Sequence, residues 1–204
     1  MEELRWRENN HFSTGLDRPV MAVAYRGLFD ASGSATAAIN WMADRFGATV
    51  EGAVDPETFY DFTQERPVVA FDKQKRRKLH WPANEILISK EPQNRDLVLM
   101  SGVEPHLRWH TFAETLVEVV QQTGAESVVT LGAMAGMAAH TRALGVIART
   151  TNLHLAERLG LDRPSYQGPT GLIGVLHHVL DQSNIPVISL RVSVPHYVPD
   201  TPNP

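Results

Sequence analysis

His140, Thr141 and Arg142 form the sharpest polar island in the sequence, interrupting a run of alanine, glycine and methionine that follows Leu131. A guanidinium beside an imidazole and a hydroxyl suits a carboxylate or phosphate, with the imidazole carrying a proton. The same trio can instead stitch a loop to the sheet or to a neighbouring subunit. Asp30 and Glu104 are the candidate acid or base groups, because each follows an apolar run and burial at such a place raises a carboxylate's pKa. Two structural roles compete with that chemistry. Asp30 is well placed to cap a helix, and Glu104 can cap backbone amides or pair with Arg108. His196, next to Tyr197, completes the set after the last apolar run.

Nine histidines and no cysteine raise the question of a metal, but there is neither a His-Glu-x-x-His helix nor a spaced set of three ligands. His177 and His178 are adjacent, so on a helix they point about 100° apart and cannot chelate together. His106 and His110 have helical spacing, yet Thr111 and Glu114 form a capping-box pattern that places a helix start after them. Gly168-Pro169-Thr170-Gly171 ahead of a helix can offer amides to an anion or serve as a simple turn. It matches neither the dinucleotide fingerprint nor the phosphate-binding loop, and no Gly-x-Ser-x-Gly elbow occurs. The expectation is therefore no cofactor, no metal and no assigned catalytic residue.

These residues need a scaffold. Pro19–Tyr25 is a continuous apolar run, as in a strand buried on both faces, and Ala35, Ile39, Met42 or Ala43 and Phe46 then follow a helical stripe stopped by Gly47. Further strands are predicted at 49–54, 67–71, 85–89, 96–101, 127–131, 145–148 and 186–194. Helices are predicted from Thr111, over 153–159 and after Gly171, the last with Leu172, Val175, Leu176, Val179 and Leu180 inward. Alternation of this kind implies a mostly parallel sheet covered on both faces, a three-layer α/β/α sandwich, with ligands outside the carboxyl ends of the strands. The loops there are 27–30, 104–109, 132–142 and 196–197.

Length and composition bound the rest. With 204 residues, 43% hydrophobic and 21% charged, residues 1–198 read as one domain and 199–204 as a proline-rich tail. A net charge of −4 makes nucleic-acid binding unattractive, and the five cations in Lys73–Lys78 read as a solvated hairpin tip. No membrane segment or secretory signal is visible, and the absence of cysteine fits a reducing, cytoplasmic setting.

Taken in order, seven segments resemble the bacterial and archaeal branch of the proteasome assembly chaperone type 2 family, with actinobacterial members most similar. They are Gly27-Leu-Phe-Asp-Ala31, Asp55–Phe62 with Arg66-Pro67, Glu104-Pro-His-Leu-Arg-Trp109, Thr130-Leu-Gly-Ala133, His140-Thr-Arg142, Tyr166-Gln-Gly-Pro-Thr-Gly171 and Pro195-His-Tyr197. The resemblance implies a sandwich similar to the phosphorylase/hydrolase-like fold, a homo-oligomer with a trimer favoured, and no settled catalytic activity. Proteasome subunits are the partners it implies. The family often has Asn where His106 stands and Pro where Ala139 and Ala143 stand, so the loop around His140 is expected to have its own shape.

Two functions follow as expectations. One is an oligomeric binding or assembly protein, in which Asp30, Glu104, Arg108, His140, Thr141, Arg142 and His196 bind a partner or ligand. The other is an enzyme or small-ligand sensor for an anionic metabolite, with Arg142 holding the anion, His140 shuttling a proton and Glu104 polarising it.

Overall fold

The computed structural model describes residues 3–8, 15–90 and 95–197, so the tail read at 199–204 lies outside the described residues. The elements run β1 (Leu4–Trp6), β2 (Val20–Arg26), α1 (Ser34–Arg45), β3 (Thr49–Val54), β4 (Val68–Phe71), β5 (Arg77–His80), β6 (Asn84–Ser89) and β7 (Leu97–Val103). They continue with α2 (Trp109–Thr123), β8 (Ser127–Gly136), β9 (Val146–Arg149), α3 (Leu153–Leu159), α4 (Leu172–Gln182) and β10 (Val187–Pro195).

Eight strands form one sheet in the order β1-β3-β6-β7-β2-β8-β10-β9, and β4 and β5 form a separate hairpin. The adjacent strands β7, β2, β8 and β10 run parallel. Antiparallel strands flank them, β6, β3 and β1 on one side and β9 on the other. The expected α/β sandwich is thus present, parallel at its centre. β2 sits between β7 and β8, which is why Met21–Tyr25 is buried without interruption.

Helix α1 covers one face. Its Ala35, Ile39 and Ala43, four residues apart, lie against Ala22, Ala24 and Leu99, where small side chains let the helix approach the sheet closely. Helices α2 and α4 cover the opposite face with a larger core, in which Phe112 meets Tyr25 and Phe59 edge-on at centroid distances of 5.6 and 5.2 Å. Truncating such a buried ring to alanine costs about 3–5 kcal/mol.

Two local expectations are corrected. Helix α2 begins at Trp109, not at a Thr111 capping box. Arg108 takes the cap position with φ 54°, the Trp109 indole donates to Pro105 O, and Glu114 faces His110 at 3.3 Å. Strand β8 does not stop at Leu131 but continues to Gly136, because β10 pairs with it along its whole length from Val187↔Val128 to Pro195↔Gly136. The polar amino terminus holds a strand, since Leu4 and Trp6 alternate toward the core while β1 pairs with β3. The basic run does fall at a hairpin turn, where Asp72 accepts from Arg76.

Helix α1 packs on β2, β7 and β8, and β10 and β9 extend past it. Side-chain alternation and register place Val129, Leu131, Ile188, Leu190, Ala148 and Val146 on that same side. The result is an apolar sheet surface with partial exposure, rising to 61% at Val146 on the edge strand.

Candidate functional site

The four parallel strands are neighbours, so the loops after them gather at one end of the sheet. Hydrogen bonds divide the candidate residues among different roles there. Asp30 is buried and turned into α1: its Oδ1 accepts from the backbone of Ala35 at 2.7 Å and Thr36 at 3.2 Å, and Oδ2 from the Thr36 hydroxyl at 2.6 Å. That is the capping role, with a charge suited to a helix N-terminus.

Glu104 ties two loops together. Its Oε2 accepts from Leu28 N–H at 3.1 Å and its Oε1 from Leu172 N–H, the first residue of α4, at 2.9 Å. The helix end that the Gly168–Gly171 segment offers to an anion therefore already faces the protein's own carboxylate. Gly27 makes room for it, since a Cβ there would lie 2.3 Å from Glu104 Oε2. Arg108 does not pair with Glu104; its guanidinium stands 4.0 Å from Glu3.

His140, Thr141, Arg142 and His196 are exposed on the rim beyond β8 and β10. The Tyr197 hydroxyl accepts from His140 N–H at 2.9 Å and lies 2.7 Å from its Nδ1, and His196 N–H donates to Gly136 O. This contact stitches the loop after β8 to the end of β10. His106 turns the other way and accepts from Asp61 N–H through Nδ1.

A cavity of about 530 Å³ opens on the α4 face of β10 and β9. Leu28, Phe29, Met134 and Tyr166 form apolar wall, and Arg149, Thr151, His177, Asp181, Ser189 and Arg191 supply the polar groups. The ladder explains the grouping: Ser189 lies between Thr130 of β8 and Arg149 of β9, and Arg191, two residues on, shares their face. Arg191 donates through Nε to Ser189 Oγ at 3.1 Å and lays its guanidinium over Phe29, 4.9 Å from the ring centroid. Burial, then the charge of Arg149, lowers the Arg191 pKa from its ordinary value. His177 pairs with the Thr130 hydroxyl at 2.8 Å, and burial foremost, with Arg191 adding, pushes its pKa down to about 4.

None of these cavity cations was singled out from the sequence. The signal lies in β10, where Ser189, Arg191 and Ser193 alternate with Ile188, Leu190 and Val192 in a period-2 pattern within the predicted strand 186–194. Arg149 carries no such mark; only pairing of β9 with β10 brings it to Arg191.

Residues 24–204 match the model of the PAC2 family. The chain belongs to the PAC2 family. It is similar to the PAC2 family protein from Streptomyces avermitilis, with 36% identity over 91% of this chain and 79% of that one and a TM-score of 0.86. The Mycobacterium tuberculosis proteasome-assembly chaperone homologue is 35% identical over 91% of this chain and 78% of that one, with a TM-score of 0.81. An archaeal proteasome activator from Pyrococcus furiosus shares the fold at 16% identity and a TM-score of 0.68, covering 98% of this chain and 84% of its own. Comparison with the curated proteins finds no match. In this PAC2-family chain most of the segments that carried the resemblance sit at the carboxyl end of the sheet: 27–31 after β2, 55–62 after β3, 104–109 after β7, 140–142 beyond β8, 166–171 before α4 and 195–197 at the end of β10.

Proposed function

We propose that this PAC2-family protein is a homo-oligomeric binding and assembly protein of the proteasome-assembly-chaperone kind, with a trimer as the favoured state and proteasome subunits as partners. The observation that carries self-association is the apolar sheet surface of Val129, Leu131, Ile188, Leu190, Ala148 and Val146, left open where β10 and β9 pass beyond α1. A contiguous apolar surface of this kind is an interaction site in a soluble protein. The kind of partner rests on the Mycobacterium tuberculosis relative, named a proteasome-assembly chaperone homologue. Within this reading Arg108, His140, Thr141, Arg142 and His196 form the polar rim that meets a partner, and Asp30 and Glu104 hold the loops that present it. A cytoplasmic setting is part of this proposal, supported by the proteasome-assembly chaperone homologue among its relatives; among the described residues no helix is long and apolar enough to cross a membrane.

Light scattering of the wild-type chain is expected to give three times the 22.7 kDa chain mass, and Leu190→Arg with Val146→Arg to shift the population toward single chains. A wild-type protein that is monomeric at micromolar concentration, and captures no proteasome subunit, removes the reading.

A second reading, an enzyme or sensor for an anionic metabolite, is favoured by the cavity under α4. Its cations are Arg149 and Arg191, whereas both oxygens of Glu104 already accept backbone amides.

A further inference from the structure

Two guanidiniums line one wall of the cavity. Among the described residues no carboxylate forms a salt bridge with Arg149 or Arg191, and Arg149 Nε is buried with no hydrogen-bond partner. Two adjacent cations in a partly desolvated site repel, and an anion between them relieves that repulsion. Asp181 is the acidic side chain in the lining, and it accepts from the Thr151 hydroxyl at 3.2 Å. His177 is held neutral and adds no charge. The lining thus carries two guanidinium charges against one carboxylate.

The remaining wall is of another character. Leu28, Phe29, Met134 and Tyr166 offer apolar and aromatic surface, and the volume of about 530 Å³ is that of a small-metabolite site. Phe29 is already engaged by the Arg191 guanidinium, which orients that fork along the ring. A bare inorganic ion would leave most of this space unfilled.

We infer that the cavity binds a phosphate monoester whose dianionic head is held by Arg149 and Arg191 and whose apolar or aromatic body lies against Leu28, Phe29, Met134 and Tyr166. The inference rests on the second reading above and names its ligand class. Two guanidinium forks that line the same cavity match a doubly charged oxyanion. Ligand binding here needs neither Arg142 nor the rim, so it is compatible with the assembly role.

Isothermal titration at pH 7.5 and fixed ionic strength, using phenyl phosphate, inorganic phosphate and benzoate on the full chain, tests this. Phenyl phosphate is expected to bind at least about tenfold more tightly than inorganic phosphate, through the apolar wall, and about tenfold more tightly than benzoate, through the second charge. Arg149→Gln and Arg191→Gln are each expected to weaken phenyl phosphate by about tenfold or more, with thermal midpoints in phosphate-free buffer unchanged or raised because one repelling charge has gone. Benzoate binding as well as phenyl phosphate, and lost in both variants, overturns the dianion assignment while leaving an anion site. No binding of any probe at about 10 mM, or binding that neither variant alters, overturns the inference and the second reading together. Should a variant fail to fold, the wild-type order of the three probes decides.

Discussion

Glu104 Oε1 accepts the N–H of Leu172 at 2.9 Å, so a side chain that follows β7 closes the amino end of α4. The other oxygen holds Leu28 N–H in the loop after β2. One carboxylate therefore fixes two pieces of the cavity wall, Leu28 and the start of α4.

Glu104→Gln is expected to lower unfolding free energy by about 1–2 kcal/mol, because its amide turns a donor toward one of two N–H groups and removes a charge favoured at a helix N-terminus. Glu104→Ala should cost about 2–3 kcal/mol by leaving both amides without their acceptor. Urea denaturation measures both. An alanine variant as stable as wild type would show that the clamp contributes nothing.

His177 makes stability depend on pH in a defined direction. Its folded pKa of about 4 lies below the ordinary 6.5, so between these values the unfolded chain binds a proton that the folded chain does not. The contribution is complete above pH 6.5 and is lost as pH falls toward 4, reaching roughly 3 kcal/mol. His177→Gln should flatten the fall in stability across that window relative to wild type, as read from denaturation midpoints at several pH values. Identical pH profiles for the two proteins would refute burial of a neutral imidazole beside Thr130.

Gly102 lies in β7 beneath Asn84, and a Cβ there would sit 1.9 Å from Asn84 Oδ1 and 2.6 Å from Ala83 O. Asn84 is fully buried and donates to the Tyr60 hydroxyl and Val103 O, so it cannot swing away without breaking those bonds. Gly102→Ala is expected to cost about 3 kcal/mol through overpacking against β6, visible as a lowered thermal midpoint. Serine at 102 should be at least as costly. A neutral alanine variant would mean that β6 and β7 yield easily.

Much of the scaffold is legible in local sequence pattern. The uninterrupted apolar run of β2, the Ala35–Ile39–Ala43 stripe of α1 and the Gly47 that stops it are local signals, and each falls where its pattern places it. The reading failed where a neighbour outweighed the local pattern. Thr111 and Glu114 have capping-box spacing, but the Trp109 indole bond to Pro105 O and the positive φ of Arg108 start α2 earlier. The local pattern ends the predicted strand 127–131 at Leu131, yet β10 supplies backbone partners as far as Gly136 and keeps the chain extended.

The candidate site divides along the same line. That Asp30, Glu104, His140 and His196 lie beyond strands followed from hydrophobic periodicity, which depends on residues close in the chain. What those side chains touch did not, because Glu104 meets Leu172 from 68 positions away and His140 meets Tyr197 from 57. The grouping of Arg149 with Arg191 lies further still from sequence legibility: it depends on β9 joining the sheet edge antiparallel to β10 with Arg149 opposite Ser189, and a one-residue slip of β9 would turn Arg149 to the other face, away from Arg191. Local composition determined the elements and their order, and long-range strand pairing alone decided which charges share a cavity.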